Sequence, residues 1–384
     1  MRVAEAALGD TQGIERDPQQ LVIVPACADW TRVKLGRLLA FTKWNEKKSE
    51  QLPEDCPVGL ATALLAQGTW KAIAALRGIA DAPTMRADGS IVQRPGYDAA
   101  SCLLLNLEGS WPPIPERPTY SEALAALEIL TAPFGEFPFD TGEARSAFVS
   151  SVLGAAVRPA LPAAPASYFI GPTAGAGKTL LADAAAIIAT GRVAAKRVLP
   201  LDDDEMRKVL TSVVMAGDRM LLFDNVPRGH SVRSPSLDAA LTSSIWSDRV
   251  LGSNRQVALP FNAAVALTGN NFSCHGDAVR RGIFVHIDPQ CEFPEERSFQ
   301  IPDLLGYLRE HRRELLVAAL TVLRAYRVAG ERVGIPPLGS FEPWSARVRE
   351  AVIWIGLPDP VKTQERMRTE DEERDELNEL LTRL

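Results

Sequence analysis

The stretch Tyr168-Phe-Ile-Gly171-Pro-Thr-Ala-Gly175-Ala-Gly177-Lys178-Thr179 decides the fold of this chain. Tyr168 to Ile170 read as a short buried strand. An alanine-rich helix follows from Leu180 to Ala189, closed by Gly191 at the position where a left-handed residue ends a helix. A glycine-rich turn between a strand and a helix is the context that a phosphate-binding loop requires. Glycines let successive backbone N–H groups close around a phosphate, and the helix N-terminus adds partial positive charge. Pro172, Thr173, Ala174, Gly175, Ala176, Gly177, Lys178, Thr179 and Leu180 are therefore the expected nucleotide contacts. Lys178 is expected to reach the β- and γ-phosphates of ATP, and Thr179 to hold Mg²⁺. One position departs from the usual pattern: the residue six before the lysine is Pro172, with Gly171 one place earlier.

Outward from the loop, strand and helix patterns alternate, the signature of a parallel α/β sheet. Arg197 to Leu201 reads as a second strand. Asp202 and Glu205 have capping-box spacing at the start of a helix reaching about Met215. Met220 to Phe223 is another buried strand, and it ends in Asp224. Ser236 to Trp246 reads as a helix, Ala263 to Leu267 and Ile283 to Ile287 as strands, and Pro302 to Val328 as largely helical.

Asp224 ends its strand 46 residues after Lys178, as suits a carboxylate that orients Mg²⁺ through water. The next residue is Asn225, at the place where many hydrolysing ATPases carry a glutamate that activates water. An amide cannot accept that proton, so turnover is slow or the base lies elsewhere. Glu205 is a candidate base, and a helix cap is its other reading. Asn270 and Asn271 follow the strand Ala263 to Leu267, where Asn270 can contact the γ-phosphate or position water. Arg280 and Arg281 precede the last strand. Either can act as an arginine offered to a neighbouring subunit's nucleotide, or the two form a solvated pair.

Arg249 to Leu259 reads as a hairpin with its turn near Gly252 to Arg255. Residues 226–255 hold four arginines against two aspartates. Arg249, Ser253, Asn254 and Arg255 are the expected contacts to single-stranded DNA, with an ordinary surface hairpin as the other reading. Arg349, like Arg347, is a candidate lid arginine that senses phosphate, or a surface charge. Cys274 and His275 read as a loop pair without further metal ligands at useful spacing.

The remainder of the chain sets limits. It has 384 residues, 46% hydrophobic and 23% charged, and a formal charge of −6. That composition excludes a disordered, collagenous or basic-coated chain. Five cysteines without a CxxC pair suit reduced thiols. No apolar run is long enough to span a bilayer, and Glu5 and Asp10 interrupt any signal sequence. A cytoplasmic protein without membrane contact is expected. Proline runs at 111–118 and 158–165 mark boundaries. They divide an α+β collar or DNA-contact region (1–110), linkers and connector helices (111–166), an ATPase core (167–300), and a helical lid with an acidic helical tail (301–384). In the first region Val58 to Leu76 reads as helices broken near Gly68, and Asp88-Gly89 as a hairpin turn. That region is either a nucleic-acid or collar module, or a domain that only aids assembly. The last residues, 376–384, stop within a helical pattern, and a truncated chain is expected.

The order of phosphate loop, Asp strand, polar-tipped strand, short helix, arginine and strand resembles the AAA+ ATPase fold. More narrowly, the chain resembles the helicase/primase-associated AAA+ ATPases of prophages, plasmids and mobile elements, related to superfamily 3 and mini-chromosome-maintenance-like ring helicases. The resemblance spans roughly residues 80–384. It rests on PTMRADGSIVQRPGYD (83–98), the long block 158–192 around the phosphate loop, DDDEMRKVL (202–210), LLFDNV (221–226), DRVLGSNRQVALP (248–260), TGNN (268–271), AVRRGIFVHID (278–288) and GSFEPWSARVREAVIWIGLPDP (339–360). The long block is specific; the short pieces are not. The resemblance implies an ATP-driven homo-oligomeric ring, a hexamer, moving on single-stranded DNA during replication of the element, with a primase or replication initiator as partner. It assigns Lys178 and Thr179 to nucleotide and Mg²⁺, Asp224 to the metal, Asn270 to phosphate sensing, and Arg280 or Arg281 to catalysis in trans. An ATP-binding AAA+ assembly or loader module with little turnover is the alternative, motivated by Asn225. A small-molecule P-loop kinase is a weaker third reading, in which the hairpin and arginine have no purpose.

Overall fold

The computed structural model describes residues 2–5, 21–24, 26–68, 70–229, 231–249, 256–274, 276–291 and 293–369. The chain divides into two compact units, residues 1–79 and 80–384. In the first unit Arg2–Glu5 pairs antiparallel with Leu21–Val24. Helix Ala28–Leu38, a hairpin of Phe41–Asn45 with Glu50–Glu54, and helix Val58–Ala66 follow. The expected helical stretch to Leu76 therefore stops at Ala66: beyond Gly68, which has φ 77°, residues 70–77 contain no helix.

The second unit opens with the expected tight hairpin, Thr84–Met85 against Ile91–Val92. Asp88 accepts from the Ser90 N–H at 2.8 Å, and Gly89 takes the left-handed conformation (φ 86°) that the turn demands. Two connector helices come next, α1 (Tyr120–Thr131) and α2 (Gly142–Ala156). Thr119 and Glu122 form a reciprocal capping box on α1.

The core is a five-stranded, all-parallel sheet flanked by helices, the α/β architecture expected of a P-loop core. Its strands are β1 (Ala166–Gly171), β2 (Ala195–Arg197), β3 (Met220–Val226), β4 (Ala264–Asn270) and β5 (Gly282–His286). They lie in the order β2-β3-β4-β1-β5. β4 thus inserts between the phosphate-loop strand and the aspartate strand, and the tips of all three converge. Its helices include α3 (Lys178–Thr190), α4 (Asp203–Ala216), α5 (Pro235–Thr242), α6 (Asp277–Arg280), α7 (Leu304–Glu310) and α8 (Arg312–Ala329). The strands read as continuous apolar runs because helices cover both faces: Phe169, Leu222, Phe223, Leu267 and Phe284 are fully buried.

Three expectations shift in detail. The second strand falls at Ala195–Arg197 rather than 197–201, because Pro200 and the start of α4 end it. α5 ends at Thr242, and Trp246 instead lies on a strand, Ile245–Arg249, that pairs antiparallel with Gln256–Pro260. This confirms two arms of a hairpin, whose turn at 250–255 lies outside the described residues. The capping box predicted for Asp202 and Glu205 forms only in part. Asp202 accepts from the Asp204 N–H at 3.4 Å, whereas Glu205 pairs with Lys208. Among the described residues no helix is long and apolar enough to cross a membrane.

Candidate functional site

The glycine-rich loop joins β1 to α3. Gly175 and Gly177 both have positive φ, 75° and 97°, and Gly177 caps α3. A side chain at Gly177 would also strike Phe137, since a Cβ there would lie 2.9 Å from its Cε1. The ring of Phe137 therefore covers the loop. It packs on Phe134 and Phe139, and stacks on Phe299 at 6.4 Å.

Lys178 stands at the first turn of α3 and is buried. Its ammonium donates to the Thr173 carbonyl at 2.5 Å, and burial pushes its pKa below the ordinary lysine value. Thr179 donates its hydroxyl to Asp224 Oδ1 at 2.7 Å. The register explains how the remaining polar groups arrive. Gly171 sits opposite Asn270, and Phe223 opposite Leu267. The ladder between β3 and β4 then slips between Phe223 and Val226, a bulge in which Asn225 takes φ 58°.

Thr268 fills that bulge. Its hydroxyl accepts from the Asn225 N–H at 3.1 Å and donates to Asp224 Oδ1 at 2.5 Å. One carboxylate oxygen thus receives two hydroxyls, from the phosphate-loop helix and from β4. Gly269, next in line, approaches the Val226 carbonyl so closely that a Cβ would lie 2.6 Å from it. Asn270 Oδ1 is buried, and among the described residues it has no hydrogen-bond partner.

The structure brings together Lys178, Thr179, Asp224, Asn225 and Asn270, with Pro172 to Leu180 between them. Thr268 and Phe137 join them, and the sequence reading missed both. In the sequence Thr268 is one small polar residue of the TGNN strand end, and Phe137 lies 41 residues before Lys178 in the connector.

Glu205 does not join this group: it is exposed at the start of α4 and held by Lys208. Arg349 is not directed to the loop either. Its fork is engaged bidentately by Asp359 at 2.8 and 2.6 Å, and Nη1 donates to the Pro336 carbonyl at 2.8 Å. Those contacts use its donors inside the C-terminal helical block. Arg347 likewise donates to the carbonyls of Ala160 and Ala87.

The paired arginines separate. Arg280 is 55% exposed and bonds Asp277 at 2.7 Å. Arg281 is 15% exposed and ties α6 to α5 through Asp277 at 2.8 Å and Asp238 at 3.1 Å. Only Arg280 is presented outward. Arg249 is exposed at the end of its hairpin arm, while Ser253, Asn254, Arg255 and His275 lie outside the described residues. The arm itself is anchored: Asp248 binds Arg207 at 2.6 Å, and the Trp246 indole donates to Thr211 at 2.9 Å.

No family model matches the chain, and no curated protein matches it. Among solved structures it is similar to the X-ray structure of JCV helicase, at 15% identity and TM-score 0.29, over 65% of this chain and 61% of that one. It is also similar to the A-form apo structure of the NrS-1 C-terminal region, at 10% identity and TM-score 0.36, over 76% of this chain and 68% of that one. The chain thus spans 61% of the length of the JCV helicase chain. Likeness of this degree does not define the activity of this protein.

His286, at the tip of β5 beside Ile170, is a further buried polar group. Burial, aided by nearby Arg366, pushes its pKa down from 6.5 to about 4, and among the described residues Nε2 has no hydrogen-bond partner. The unfolded imidazole takes up a proton near pH 6.5, which the folded one refuses until about pH 4. Stability is therefore fully present above pH 6.5 and falls as the pH drops from 6.5 towards 4. We expect His286→Gln to flatten this slope in urea midpoints measured between pH 4 and 7. An unchanged slope would show that other groups carry it.

Proposed function

We propose that the chain is an ATP-hydrolysing ring motor, a DNA helicase or translocase acting on single-stranded DNA in replication of a phage, plasmid or mobile element. One observation carries the reading. A hydroxyl at the phosphate-loop helix, a carboxylate at the tip of β3 and an orphaned amide oxygen at the tip of β4 meet beside a buried lysine. The donor set fits the group it would serve. Hydroxyl and carboxylate oxygens suit Mg²⁺, and backbone N–H groups at the start of α3 suit phosphates.

Lys178 would exchange the Thr173 carbonyl for phosphate oxygens, and Thr179 would turn its oxygen from Asp224 to the metal. Asp224 would then hold metal-bound water, kept in place by Thr268. Bound Mg²⁺ would neutralise charge on the phosphates and so ease attack at phosphorus. Asn270 Oδ1 would accept a hydrogen bond from the attacking water and orient it. Arg280 would serve the nucleotide of a neighbouring subunit, which requires a homo-oligomer, in this reading a hexameric ring. The arm ending at Arg249 would face the strand. Residues 1–110 would form the collar, 111–166 the connector, 167–300 the AAA+ core and 301–384 the lid and tail.

The second reading is an ATP-binding AAA+ assembly or loader module with little turnover. Asn225 favours it, being exposed in the bulge with an amide that cannot take a proton. Phosphate release by the pure chain, with and without single-stranded DNA, separates the two. Stimulation by DNA is expected of the motor. Tight ATP binding and ring formation without turnover would favour the module, and a monomer indifferent to ATP and DNA would sink both.

A further inference from the structure

A row of aromatic rings runs from the core, past the phosphate loop, to solvent. Phe134 and Phe148 are buried, with their centroids 4.6 Å apart, and Phe137 packs on Phe134 at 6.1 Å. Phe137 is half-buried, and one edge of its ring lies against Gly177. Phe299 stacks on Phe137 with the two planes 28° apart, and it remains 38% exposed. A single exposed phenylalanine carries no message. This one is the outer ring of a near-parallel pair whose inner ring touches the loop.

The pair is held in place. Arg297 donates to the Glu136 carbonyl at 2.9 Å, and the Gln300 N–H donates to the Glu136 carboxylate at 2.8 Å. Residues on both sides of Phe299 are thereby fastened to the residue before Phe137. The side of the loop matters too. Asp224, Thr268 and Asn270 come from β3 and β4, on one side of β1. Phe137 comes from the other side, where Phe139 bridges to Ile287 at the end of β5 and the Asp288 N–H donates to the Pro138 carbonyl at 2.9 Å. A triphosphate whose metal end meets Asp224 leads its nucleoside away from β3 and β4, towards these rings.

We propose that Phe137 and Phe299 form an aromatic seat for the base of the bound nucleotide, and that the seat favours purines over pyrimidines. The inference rests on the phosphate-loop reading above and adds the base to it. Flat rings held at fixed positions gain most from another flat π-system, and a purine offers the larger face. The Arg297 guanidinium carbon, 5.1 Å from the centroid of Phe299, sets a cation beside the stack. The seat reads the size of the face rather than its edge, so adenine and guanine are both accepted.

Calorimetric titration of the full chain with ATP, GTP, UTP and inorganic tripolyphosphate, each with Mg²⁺, tests this. ATP and GTP should bind about tenfold more tightly than UTP. Phe299→Ala should weaken ATP binding about tenfold and leave tripolyphosphate binding unchanged. Phe299→Leu, which keeps apolar bulk without a flat ring, should behave as Phe299→Ala does. Equal affinities for ATP and UTP, or an ATP affinity that either variant leaves intact, would overturn the seat while the phosphate loop stands. If neither ATP nor tripolyphosphate binds, the phosphate-loop reading falls and takes the seat with it. Should Phe299→Ala not fold, Phe299→Leu and the native comparison of ATP with UTP decide.

Discussion

Lys178→Ala is expected to lower ATP turnover by about 10²–10³-fold, the usual loss when a preorganised donor to developing phosphoryl charge is removed. The fold should not suffer. The lysine is a buried cation that donates to the neutral Thr173 carbonyl, and burial already opposes its charge. Replacing it with alanine removes that desolvation cost and places a good helix former at the first turn of α3. Phosphate release and a thermal melt on the same preparation check both halves. Loss of turnover with a preserved melt assigns Lys178 to the chemistry. Loss of both would mean that the loop needs the lysine to fold.

The second large effect separates the two neighbouring arginines. Arg280→Ala removes an exposed side chain that, among the described residues, bonds exposed Asp277, so the melting temperature should hold. In the proposed ring, turnover should nonetheless fall by about 10³-fold or more, the loss expected when an arginine offered across a subunit boundary is removed. Arg281→Ala should do the reverse in kind. It strips half-buried Asp238 of its partner across α5 and α6, at a cost of about 1–2 kcal/mol in stability. Its effect on turnover should follow from unfolding alone. Equal kinetic losses in two equally stable variants would contradict the division.

Much of this was legible in the sequence for a local reason. A phosphate loop is one continuous segment, and its glycines, lysine and threonine sit at fixed offsets between a strand and a helix. Asp224 and Asn270 were legible too, because each ends a buried apolar run. What escaped is decided by strand order and side-chain pairing. Thr268 matters because β4 lies between β1 and β3, and because a bulge at Asn225 opens a place for its hydroxyl. Phe137 reaches the loop only through the folding of the connector. Arg280 and Arg281 are identical in type and adjacent in sequence, and only the position of Asp238 tells them apart. Glu205 and Arg349 failed to reach the loop for the matching reason: Lys208 and Asp359 hold them elsewhere.

In the proposed motor these residues drive a ring around a DNA strand. Particle imaging of the full chain with a non-hydrolysable ATP analogue, Mg²⁺ and single-stranded DNA tests it most directly. Closed rings with a strand in the channel, contacted by the hairpin arm that ends at Arg249, are the predicted result. Monomers under the same conditions, or rings whose channel stays empty at saturating DNA, would contradict it.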